Sequence, residues 1–139
     1  MTDSPESPAD APAGTGVPEP RQAASTGEQR AAAALTALRP LGERLARVMS
    51  ELDDSATAAP CALPGWSRAH LISHLARNAD AMLNLLTWAK TGVEHQAYAS
   101  DADRDADIEK GAKRVAQMLQ EDLAAASGRL HAAFEEMPA

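Results

Sequence analysis

One stretch constrains the fold more than any other: from Arg68 to Thr91 no glycine or proline occurs. Pro64 and Gly65 break whatever precedes it. Ser67 offers a hydroxyl that can accept from a free amide of a first helical turn, and Gly92 is a natural stop. Trp66 and Leu71 are spaced like a hydrophobic staple. At about 100° per residue, Leu71, Leu75, Ala79, Met82, Leu86 and Ala89 share one face, with Arg77, Asp80 and Asn84 on the other side. The stretch therefore predicts a long amphipathic helix that packs against other helices.

His74 and Asn78 lie one turn apart on an edge of that apolar face, and His70 lies a turn earlier, further toward solvent. An imidazole at the margin of a core needs hydrogen bonds or a metal to offset its desolvation. One reading of His74 is a core-edge histidine bonded to a neighbour. The other is a metal ligand, since two histidines four residues apart can bind from one helix face. No acidic residue of the zinc-protease kind separates them.

The rest of the chain reads as helix as well. The apolar fraction is 45% but alanine dominates it, and aromatics make up only 3%. Alanine favours helix yet buries little area, so the core must rest on a limited set of Leu, Met, Val and Trp residues. Ser25 and Glu28 form a capping-box pattern. Leu35, Leu38, Leu41, Leu45, Val48, Met49 and Leu52 follow at helical spacing, a stripe expected in the core. Pro40 is expected to kink that helix or divide it. Ser100 with Asp103 begins a third helix with Ile108, Val115, Leu119, Leu123, Leu130 and Phe134 inward. Gly111 is placed to permit a close helix approach. Residues 1–24, rich in Pro, Ala, Ser, Asp and Glu, read as a disordered acidic tail ahead of a helical domain over 25–139.

The bulk properties narrow the function. Thirteen basic and 20 acidic residues leave a formal charge of −7, against the basic footprint that nonspecific nucleic-acid binding requires. No apolar run is long enough to span a membrane. Cys61 is the single cysteine, which excludes a disulfide framework within the chain and suits a reducing cytoplasm. No local positive charge would activate its thiol. Glu94, His95 and His131 read as surface or structural residues. Arg104 and Arg114 are candidates for binding substrate carboxylates, with solvated ion pairing as the plainer reading.

The run LPGWSRAHLISHLARNADAMLNLLTWAKTGVEHQAYAS, followed by RDADIEKGAKR, resembles the N-terminal domain of mycothiol-dependent maleylpyruvate isomerases, within the wider DinB-like family of metal-binding four-helix bundles. The resemblance extends from about Ala31 to the C-terminus. It implies an all-α, up-down bundle with three of its four helices present. It implies that His74 is a zinc ligand, with a Glu and a second His supplied by a fourth helix beyond this chain. Asn78 would orient a ligand or line the cofactor pocket. The implied reaction is cis-to-trans isomerisation of a small dicarboxylate. A mycothiol thiolate adds to the double bond, rotation becomes easy, and elimination follows. The alternative is a non-catalytic metal-binding or helical interaction module of the same family. In either case three helices would leave one groove open, to be covered by a further C-terminal segment or by a second copy.

Overall fold

The structure, a computed structural model, describes residues 20–137, with side chains from Thr26 onward. The acidic N-terminal tail expected over 1–24 thus lies almost wholly outside the described residues. Five helices follow in order: α1 (Pro20–Ser50), α2 (Asp54–Ala58), α3 (Arg68–Thr91), α4 (Asp101–Ala112) and α5 (Ala116–Glu135). Among the described residues there is no named strand, and no helix is long and apolar enough to cross a membrane. The all-α architecture is as expected.

The end signals of α3 are used. Ser67 Oγ accepts from the His70 amide at 3.3 Å, and Gly92 closes the helix in the left-handed conformation at φ 71°. Ser100 Oγ likewise accepts from the Asp103 amide at 3.0 Å and starts α4. Of the two outcomes expected of Pro40, division does not occur: α1 is helical on both sides of it. A proline removes one helical amide donor, and because α1 is largely exposed here, water can serve the carbonyl left over. The helix also begins at Pro20, ahead of the Ser25–Glu28 pattern; proline suits a first helical position, where its amide would be free anyway.

The single third helix expected from Ser100 onward is two helices. Lys113 to Val115 interrupt it, and Val115, with no side-chain acceptor, precedes α5. Asp54 on α2 supplies the cap instead: its Oδ1 accepts from the Ala116 amide at 2.7 Å. The break turns the chain so that α4 and α5 both pack on α3.

The buried face of α3 is Ala69, Ile72, Ser73, Ala76, Ala79 and Ala81. That face is rotated from the expected stripe: Ala79 is buried in both, but Leu71, Leu75 and Leu86 are only half-buried, and Met82 and Ala89 are exposed. Small side chains allow α5 to approach closely, and Leu119, Leu123 and Ala126 of α5 fill the seam. At the α4 contact Gly111 is buried against Ser73, where any β-carbon would collide with Ser73 Oγ. The close approach expected of Gly111 is thus realised.

The apolar stripe of α1 is also a correction. Of its members only Met49 is buried, at 6% exposure, while Leu41 and Val48 are more than half exposed. α1 is tied to α5 chiefly at its C-terminal end, where Gln120 Nε2 donates to the Met49 and Leu52 carbonyls at 2.7 and 3.0 Å.

Candidate functional site

The site is built around the start of α3. The chain from Ala59 to Arg68 doubles back on itself. The Cys61 amide donates to the Trp66 carbonyl at 3.1 Å and the Arg68 amide to the Ala59 carbonyl at 2.9 Å. Gly65, at φ 78°, makes the turn, a conformation that β-carbon-bearing residues adopt only at a cost. Trp66 is thereby fixed immediately before the helix cap.

His70 is not the solvent-directed residue expected from periodicity. Its Nδ1 accepts from the Ser67 amide at 3.2 Å and lies 2.8 Å from Ser67 Oγ. Its Nε2 is 3.1 Å from Glu109 Oε1 on α4. An Nδ1 that accepts from a backbone amide carries a lone pair, so Nε2 bears the proton and donates to Glu109. Both ring nitrogens are thus engaged, and His70 is a capping and tethering residue. The motif Ser67-x-x-His70 has capping-box spacing with imidazole in place of the usual carboxylate or amide, and that signal was legible in the sequence.

His74, one turn on, is different. Its ring is half-buried, and Nδ1 is enclosed with no hydrogen-bond partner. Such an enclosed, unpartnered polar atom costs about 1–3 kcal/mol. Nε2 is therefore the nitrogen that can reach outward. Trp66 packs against this ring at a centroid separation of 5.6 Å and a tilt of 58°, while stacking on His70 at 6.0 Å and 24°. Asn78 is half-buried on the same edge, with no hydrogen bond to His74 among the described residues. Sequence patterning did not single out Trp66 or Glu109 as parts of this cluster.

His74 fits one donor of a metal site. Among the described residues no three His, Cys, Asp or Glu side chains converge to complete one. Cys61 is half-buried beside the turn, its Sγ directed to the Leu63 carbonyl. Glu94 and His95 are exposed on the loop after α3. Arg104 forks onto Asp105 at 3.0 and 2.8 Å; that hydrogen bond and charge raise its already high pKa. Arg114 pairs with Asp122 at 3.2 Å, so both candidate carboxylate binders are engaged with acids of the chain itself. A cleft of about 530 Å³ between α1 and α5, lined by Leu45, Met49, Leu123 and His131 among others, does not include His74.

A second polar cluster joins α3 to α5. Asp122 lies between Arg77 at 2.8 Å and Arg114 at 3.2 Å. Asp80 lies between Arg77 at 3.2 Å and Arg129 at 2.8 Å. Arg77 and Asp80, read from periodicity as the solvent side, instead border the seam with α5.

These features define a class: an all-helical bundle whose central helix opens on a Gly-Trp-Ser turn and carries a core-edge histidine with an unsatisfied nitrogen. Comparison with known proteins gives the family. The chain belongs to the mycothiol maleylpyruvate isomerase N-terminal domain family, whose family model matches residues 38–139. It is similar to two crystal structures of the mycothiol-dependent maleylpyruvate isomerase, one of them a histidine-to-alanine mutant. Sequence identities are 32% and 31%, with a TM-score of 0.74 for each. Each match covers 78% of this chain and 45% of the other, so the chain spans less than half the length of those structures. No curated protein sequence matches it.

Proposed function

We propose that the chain is the His74-bearing part of a mycothiol-dependent isomerase that acts on a small unsaturated dicarboxylate in the cytoplasm. The observation that carries this reading is the His74 ring, half-buried with its Nδ1 enclosed and without a partner, which leaves Nε2 as the nitrogen available to a ligand. Family membership and the similarity to the maleylpyruvate isomerase structures support it. His74 would hold zinc through Nε2, with the remaining donors coming from outside the described residues. Zinc lowers the pKa of a coordinated thiol, and mycothiol supplies that thiol as a nucleophile toward a carbon–carbon double bond.

The residues of this chain do the positioning. The Ala59–Arg68 turn fixes the start of α3, His70 and Glu109 tie it to α4, and Asn78 lines the same edge one turn further on. The half-buried Leu71, Leu75 and Leu86, beside exposed Met82, form an apolar border that a further segment or a second copy would cover, excluding water from the thiolate.

The exposed leucines of α1 favour a second reading, a non-catalytic helical interaction module that uses those leucines to bind a partner helix. Zn²⁺ uptake by the protein that also carries the segment supplying the remaining donors, and by its His74→Ala variant, separates the two. The isomerase reading expects less bound zinc in the variant, and mycothiol-dependent loss of maleylpyruvate absorbance by the metal-loaded protein. Equal zinc in both proteins removes His74 from the site, and isomerisation without added thiol contradicts the proposed chemistry.

A further inference from the structure

We infer that Trp66 is the positioning residue for His74, holding its ring so that Nδ1 stays inside and Nε2 faces out, and that the His70–Glu109 tether holds Trp66 in turn. The inference rests on the reading of His74 as a metal donor.

A half turn of an imidazole about its Cβ–Cγ bond exchanges Nδ1 with Cδ2 and Nε2 with Cε1. A ring free to turn would therefore present carbon where a ligand atom is needed. His74 has no hydrogen bond among the described residues to prevent this, whereas metal-binding histidines are ordinarily oriented by a hydrogen bond from the other ring nitrogen. Here packing takes that place. The Trp66 indole lies 5.6 Å from the His74 ring, tilted by 58°, within the range of favourable aromatic pairs, which contribute about 0.5–1.5 kcal/mol beyond area burial.

Trp66 can act as a wall only if it is itself immobile. Its backbone is fixed at both ends, the amide donating to the Leu63 carbonyl and the carbonyl accepting from the Cys61 amide, each at 3.1 Å. Its ring stacks on His70, and both nitrogens of His70 are occupied, by Ser67 and by Glu109. The series Glu109, His70, Trp66, His74 thus runs from α4 through the turn to the proposed donor.

The test uses the whole chain and two readouts. The first is aromatic NMR of the metal-free protein. The expected result is through-space contact between Trp66 indole protons and His74 ring protons, with the His74 signals displaced from those of exposed His95. Trp66→Leu is expected to move the His74 signals toward those of His95, and Trp66→Phe to retain part of the displacement. Glu109→Ala, which leaves Trp66 in place and alters an exposed side chain, is expected to weaken the Trp66–His74 contact; it decides the matter should Trp66→Leu fail to fold. The second readout is Zn²⁺ affinity of the protein that also carries the segment supplying the remaining donors, expected to fall about 10- to 100-fold in Trp66→Leu, the range for loss of a group that orients a metal ligand. His74 signals unchanged in both Trp66→Leu and Glu109→Ala would overturn the inference, whatever happens to melting temperature. Zinc binding indifferent to His74→Ala would instead sink the metal reading, with the NMR result still deciding whether Trp66 orients the ring.

Discussion

Gly111 is the position at which a single added carbon should be most costly. A β-carbon there would overlap Ser73 Oγ and lie 3.0 Å from Ser73 Cβ, where carbon contacts prefer about 3.5–4.0 Å. Ser73 is only 2% exposed, so its side chain cannot move out into solvent and must shift within the packed seam. Overpacking of this kind typically costs about 1–3 kcal/mol. Exchanging glycine for alanine in a helix gains at most about 1 kcal/mol, and less at Gly111, which is the penultimate residue of α4. Gly111→Ala is therefore expected to destabilise the fold by about 1–2 kcal/mol. The midpoint in urea should fall with little change in slope, and the melting temperature should drop roughly 4–8 °C. Ser73→Ala removes the colliding oxygen but leaves the β-carbon. The double variant should therefore recover part of the loss, with a coupling of about 0.5 kcal/mol or more in a double-mutant cycle. A Gly111→Ala protein as stable as the parent, or additivity in the double variant, would refute the close approach of α3 and α4. The same approach places Glu109 against His70, so failure here would also weaken the tether.

Asp122 is 19% exposed and accepts from two arginines; Asp122→Ala is expected to cost about 2 kcal/mol in urea unfolding, because charge-assisted bonds are lost and Arg114 is left without its partner. Glu135→Ala, which breaks the largely exposed pair with Arg39, should change stability by less than about 0.5 kcal/mol and serves as the control. Gly65 faces open space but sits at φ 78°, so Gly65→Ala should lose about 1–2 kcal/mol through backbone strain alone, and Gly65→Asn, which tolerates that conformation better, should lose less by thermal melting.

The elements were legible where the signal is local. Ser67 and Gly92 bound α3, and Ser100 begins α4, because a cap is a contact between residues three or four apart and needs no tertiary partner. His74 was legible as an edge residue for a similar reason: on the helix it falls between the apolar stripe of Leu71 and Leu75 and the polar side of Arg77. The break at 113–115 was not legible, because the acceptor that starts α5 belongs to Asp54, distant in sequence. Nor were the roles of Trp66 and Glu109, since a ring stack and a bond between α3 and α4 become visible only when the two helices lie side by side. His70 lay between these cases: its spacing from Ser67 carried the capping signal, but its second bond, to Glu109, depended on the fold.

The sequence by itself determined that the chain is helical, where its central helix begins and ends, and that a histidine rides on the margin of its apolar face. Only the tertiary structure decided which face of that helix is buried. Periodicity favoured the leucines, because they offer the most apolar area. Packing chose Ala69, Ala76 and Ala79, because small side chains let α5 come close enough for Leu119 and Leu123 to fill the seam and for Arg77 to reach Asp122. Area per residue is written in the sequence, whereas the distance between two helices is a property of both surfaces together.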